Sequence, residues 1–236
     1  MLDIKNSEKD KAMKTDVNEA FQRLSKAIRI RTVSFQGTSQ TDVKPFLDFH
    51  RLLEESYPKI HGLLERKVIN NCSLCYRWPG NDPELESIAL LAHIDVVPVY
   101  SADENDWSYE PFSGKIADGF VWGRGTLDMK GTLMAIMEAV ETLIGQGFTP
   151  ERTIYLAFGH DEELGGTQGA EKIARYLKTE GVSLQYTLDE GMVILDPNHN
   201  STYNYSRREQ GECPSNRGNS LCQFQNFTGR YHKKSC

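Results

Sequence analysis

The chain has 236 residues, 39% of them apolar and 25% charged, which suits a folded globular chain and excludes a collagen-like or low-complexity one. Its 27 basic against 33 acidic residues leave a net charge of −6 with no basic block, so there is no electrostatic footprint for nucleic acid. No apolar run is long enough to span a bilayer, and the charged stretch Met1 to Thr15 lacks the apolar centre of a signal peptide; no membrane partner is expected, and the compartment reads as cytoplasmic.

From the N-terminus, residues 1–15 read as an extension. Asp16 to Ile30 reads as a helix, with Asp16 as a candidate N-cap and Val17, Phe21, Leu24 and Ile28 at helical spacing. Pro45 to Tyr57 reads as a second amphipathic helix. Strand-like runs follow at Lys67–Asn70, Ser73–Trp78 and Ser87–His93; the last is continuously apolar and then abruptly polar, the pattern of a strand buried on both faces. After a loop from Pro98 to Gly114, a short strand at Val121–Trp122 leads into the Gly123–Leu127 turn. A helix is expected from Lys130 to Gln146, a strand from Thr153 to Phe158, a helix from Gly169 to Lys178 and a strand from Ser183 to Leu188. This alternation predicts an α/β fold: a mainly parallel sheet with helices on both faces, and Ile88–Leu91, Ile154–Phe158 and Leu184–Leu188 as inner strands.

Beyond Asp196 the character changes. Residues 197–236 are rich in Asn and Ser and contain no Ile or Val. Such a segment cannot bury enough apolar surface to offset its chain entropy, so it reads as a disordered polar tail, which leaves 16–196 as the folded unit. Five cysteines, Cys72, Cys75, Cys213, Cys222 and Cys236, make an odd count unsuited to a disulfide scaffold. Cys72 and Cys75 form a C-x-x-C without a second close pair, and read as small apolar residues on a strand rather than as a zinc knuckle.

The polar residues of interest stand where apolar strands end. His93 and Asp95 close the Ser87 strand, Asp128 precedes the long helix, Asp161-Glu162-Glu163 follow the Thr153 strand, and Asp189-Glu190 follow the Ser183 strand. In a parallel α/β sheet the carboxyl ends of the strands share one edge, where ligands bind. Each residue has a plainer reading: His93 as a packed histidine, Asp128 as a helix N-cap, Asp161 to Glu163 as a solvated turn or an acidic first turn. Together they would place several carboxylates on one point, where mutual repulsion calls for a cation. A histidine among them favours zinc, manganese or cobalt over magnesium or calcium.

Five stretches carry a resemblance. Ala92 to Pro98 (AHIDVVP), Trp107 to Gly114 (WSYEPFSG), Gly123 to Lys130 (GRGTLDMK), Gly159 to Glu163 (GHDEE) and Leu188 to Gly191 (LDEG) resemble, in order and spacing, the motifs of the M20 metallopeptidase family, closest to its carboxypeptidase S and N-acyl-amino-acid hydrolase branch. The likeness covers about Asp16 to Asp196 and implies part of a zinc-exopeptidase-like catalytic domain. It implies two zinc ions: His93 on one, Asp128 bridging both, Glu163 on the second, and Asp189 sharing the first with His93. Glu162 would be the general base and Asp95 would hold the His93 ring, while the Asp128–Met129 peptide bond would be cis. The implied reaction is hydrolysis of amide bonds in small peptides or N-acyl amino acids by a metal-activated water. The family's dimerisation domain and its last ligand, a histidine, have no counterpart in this sequence. The chain is therefore expected to be shortened and weakly active; the alternative reading is a non-catalytic piece that binds at most one zinc or serves only as an interaction module.

Overall fold

The computed structural model describes residues 17–35, 42–100 and 107–190. The N-terminal extension, the Asp16 cap and the polar tail with Cys213, Cys222 and Cys236 lie outside them. Helix α1 (Val17–Arg29) buries Ala27 and Ile28. Helix α2 (Lys44–Ser56) buries Phe46, Phe49, His50 and Leu53, spaced three and four apart as one face of a helix requires. A third helix, α3 (Pro58–Leu63), follows at once. The sequence predicts no helix here, since the helix from Pro45 is expected to end at Tyr57. Proline is in fact suited to the first helical turn, where its missing N–H is not needed. Glu141 accepts the next two donors, the N–H groups of Lys59 (3.1 Å) and Ile60 (2.9 Å).

The strands are β1 (Glu65–Ile69), β2 (Ser73–Trp78), β3 (Ser87–His93), a small hairpin of β4 (Lys115–Ala117) and β5 (Phe120–Trp122), then β6 (Ile154–Gly159) and β7 (Leu184–Leu188). Helix α4 (Gly131–Gly145) precedes β6, and α5 (Ala170–Thr179) precedes β7. The main sheet has the order β1-β2-β6-β3-β7. β3 is parallel to both β6 and β7, while β2 is antiparallel to β1 and β6. Four strands thus point one way and β2 alone is reversed, so the sheet is mainly parallel as expected. One expectation needs correction. β7 is an edge strand of the described sheet, not an inner one, and its Tyr186 and Leu188 are exposed.

Helices do cover both faces. One face packs Leu74, Tyr76, Trp78, Leu156 and Phe158 against α1 through α4. The other packs Cys75, Ala89, Leu91, Tyr155 and Ala157 against Ile173 and Leu177 of α5. Burying each of the leucine, isoleucine and phenylalanine side chains among these contributes about 1.5–3 kcal/mol. The same division settles the C-x-x-C. Cys72, just before β2, lies in the first cluster and Cys75, on β2, in the second, on opposite faces of the sheet, so the two thiols cannot share a metal or a disulfide. Burial pushes their pKa values up to about 11 and about 12.

Candidate metal centre

β3 and β6 run in register, with His93 opposite Gly159. The residues that follow the two strands therefore emerge together at one edge. His93 is almost wholly buried. Its Nδ1–H donates to the backbone carbonyl of Asp95 at 2.9 Å, with Asp95 Oδ1 at 3.3 Å. That contact fixes the ring and turns Nε2 toward the open edge.

Asp128 reaches the same place from the turn Thr126–Lys130. The turn starts at Gly125, whose φ of 84° is left-handed, and a Cβ there would lie 2.5 Å from Val96 Cγ1; only glycine fits. Asp128 has an extended backbone (φ −117°, ψ 97°), and α4 begins at Gly131 with Lys130 as its N-cap. The N-cap reading of Asp128 is thereby excluded. The Asp128–Met129 peptide bond is cis. Lys130, fully buried, donates from Nζ to the carbonyls of Ala27 (3.1 Å) and Ile30 (2.7 Å) and stands 5.2 Å from the Phe49 ring centre. It ties the turn to the end of α1.

At this edge His93 Nε2 lies 2.9 Å from Asp128 Oδ1, 3.9 Å from Glu162 Oε2 and 3.9 Å from Glu190 Oε1. Two sets of ligand atoms fall within 4.8 Å of one another: His93 with Asp128 and Glu190, and His93 with Glu162 and Glu163. Asp189 belongs to neither set; its carboxylate accepts the N–H of Glu190 at 2.9 Å. The sequence marks Glu190 at the end of β7, beside Asp189, but gives it no ligand role. Sequence reasoning passed over Ser34, whose hydroxyl donates to Asp95 Oδ2 at 2.7 Å. Asp95 does more than hold the ring. It accepts the backbone N–H of Glu162 (3.1 Å) and of Glu163 (3.2 Å), so one buried carboxylate orients three proposed site residues.

The electrostatics follow from this crowding. Burial alone would lower the His93 pKa, but hydrogen bonds to Asp128 and Asp95 and the charges of Asp95 and Glu162 outweigh it, and the net shift is well upward. Burial works to raise Asp95, yet His93, Ser34 and the Glu163 N–H hold it below the ordinary carboxylate value. Glu163 is pushed up to about 8 by burial and by the charges of Asp128, Asp95 and Glu162. Glu190 rises to about 7 by burial and by Asp128, and burial raises Asp189 too. Carboxyls held this high next to an imidazole are groups whose charges lack a counter-charge. A divalent cation with a taste for nitrogen and oxygen would supply it, so the donor set fits zinc.

Residues 89–214, more than half of the chain, match the model of Peptidase family M20/M25/M40. The chain is similar to a probable carboxypeptidase S-like 2 of Dictyostelium discoideum (49% identical, covering 76% of this chain and 35% of that protein). It is also similar to an N-fatty-acyl-amino acid synthase/hydrolase of Danio rerio (44% identical, covering 72% of this chain and 33% of that protein). It spans about a third of the length of these curated relatives. In fold it resembles an M20 family metallo-carboxypeptidase of Sulfolobus solfataricus, with a TM-score of 0.58 at 19% identity over 74% of this chain and 37% of that one.

Proposed function

Because the chain belongs to Peptidase family M20/M25/M40, we propose that it carries part of the active site of a zinc-dependent hydrolase that cleaves peptide or N-acyl amino acid amide bonds. The observation that carries this reading is the convergence of His93, Asp128, Glu162, Glu163 and Glu190 at the carboxyl edge of β3 and β6. The names of the relatives, a probable carboxypeptidase S-like protein and an N-fatty-acyl-amino acid synthase/hydrolase, support the substrate class.

In this reading His93, Asp128 and Glu163 would hold the metal, together with an acidic residue from the end of β7. The family resemblance favours Asp189 for that last place, and the distances favour Glu190. Bound zinc supplies Lewis acidity toward the attacking water and the substrate carbonyl oxygen. Glu162 is the general base. It is only partly buried, so water and substrate reach it, and its Oε2 faces the same space as His93 Nε2. It takes a proton from the attacking water and passes it to the leaving amine. Asp95 keeps the His93 proton on Nδ1 and leaves Nε2 for the metal.

The experiment is turnover of N-acyl amino acids and dipeptides by the purified chain with zinc, beside its Glu162→Gln variant. The reading predicts hydrolysis that a chelator stops and that Glu162→Gln lowers about 10²–10⁴-fold. Turnover that survives chelation, or is equal in the variant, would contradict it. Zinc binding with no turnover at all would favour the non-catalytic alternative.

A further inference from the structure

Glu162 and Glu163 sit on the loop 161–169 between β6 and α5. At its head Asp161 is 6% exposed and takes four N–H groups of that loop. Its backbone carbonyl accepts from Leu164 (3.0 Å) and Gly166 (2.8 Å). Its carboxylate accepts from Gln168 at Oδ2 and from Gly169 at Oδ1, both at 2.7 Å. One residue thus closes the turn that presents the acidic pair and also ties down the far end of the loop. The bonds to the carboxylate are charge-assisted and short, of the stronger class.

The surroundings are shaped to admit this carboxylate. A Cβ on Gly169 would lie 2.6 Å from Asp161 Oδ1 and 2.7 Å from the His160 backbone nitrogen. The preceding residue is anchored as well: Ser73 Oγ of β2 is 2.6 Å from His160 Nδ1, and the His160 ring meets Phe46 edge-on at 5.9 Å. Asp95 in turn accepts the N–H groups of Glu162 and Glu163. The acidic pair is therefore held by two buried carboxylates, Asp95 through the N–H groups of Glu162 and Glu163 and Asp161 through those of Gln168 and Gly169.

We infer that Asp161 is the positioning residue of the Glu162–Glu163 pair: it touches neither ion nor substrate, but sets the direction in which the base and the ligand point. This rests on the zinc reading above. An asparagine at 161 would offer one acceptor oxygen where two N–H groups converge, and would turn its own N–H₂ against the other. An alanine at 169 would push the carboxylate out.

The test uses the full chain and its Asp161→Asn and Gly169→Ala variants, with amide hydrogen exchange on the metal-free proteins and zinc titration on the same samples. Both variants should speed exchange across 162–169 about tenfold or more and weaken zinc binding about 10–100-fold. Exchange in β3 should stay as in the parent. Zinc affinity within about twofold of the parent despite a loosened loop would overturn the inference. So would faster exchange in β3 to the same degree as in the loop, which would mark Asp161 as a general folding residue. If the parent chain takes up no zinc, the zinc reading fails separately; the loop exchange then decides the clamp, and unchanged exchange in Asp161→Asn overturns it.

Discussion

Zinc uptake by this site should expel protons, and the number follows from the geometry. In the metal-free chain His93 donates from Nδ1 to Asp95 and lies 2.9 Å from Asp128 Oδ1 through Nε2. Burial lowers its pKa, but the hydrogen bonds to Asp128 and Asp95 outweigh this and the net shift is upward, so the ring holds its second proton more tightly than a free imidazole does. Glu163, with a pKa of about 8, is mostly protonated near neutral pH. Metal needs the deprotonated form of both. Filling the two-ion site at pH 7 should therefore release a proton from each of these residues, about one per ion, and each costs about 1.4 kcal/mol per pH unit below its pKa. Apparent affinity for each ion should climb by up to about tenfold per pH unit from pH 6 to pH 7. Isothermal titration calorimetry in buffers of different ionisation enthalpy reads the proton count as a slope. Glu163→Gln should release about one fewer. A slope near zero, or an unchanged slope in Glu163→Gln, would refute the assignment of these two residues as ligands.

Other outcomes follow from the same structure. Glu163 and His93 both bind protons more tightly folded than unfolded, so their contribution to stability is present at low pH and lost as pH rises through the folded values. The metal-free chain should melt roughly 5 °C lower at pH 8.5 than at pH 6, after discounting for solvent screening, and zinc should cancel the difference; a higher melting point at pH 8.5 without zinc would be the wrong sign. Asp95→Asn removes the carboxylate shared by His93, Ser34, Glu162 and Glu163 and should weaken zinc about 10–100-fold, whereas Ser34→Ala, which removes one of its donors, should cost less than tenfold. Zinc titration of the two variants checks the order, and equal losses would count against it. Leu156→Ala, at a fully buried position on β6, should lose about 2–5 kcal/mol in a urea denaturation series.

Much of this was legible in the residues, for identifiable reasons. β3 and β6 are continuous apolar runs because both faces of the sheet are covered, and their polar ends marked His93 and Glu162–Glu163. β7 has exposed Gln185 and Tyr186, a pattern fit for an edge, but sequence periodicity does not name a strand's neighbours. β4 escaped notice because three residues are too few to show a period. At the site, Asp189 and Glu190 are adjacent, and which one turns toward His93 depends on a one-residue register at the end of β7. Asp161 was hidden inside a run of three acids; the signal that could have found it is the glycine-rich stretch Gly165, Gly166 and Gly169 that wraps around it.

Whether His93, Asp128 and Glu163 bind zinc can be read by diffraction at the zinc absorption edge from crystals of the full chain grown with zinc. An anomalous peak is expected about 2.0–2.2 Å from His93 Nε2 and from a carboxylate oxygen of Asp128. A second peak would lie at the same range from Asp128 and Glu163. Zinc found only elsewhere on the chain, or no peak at this edge of the sheet, would contradict the zinc reading.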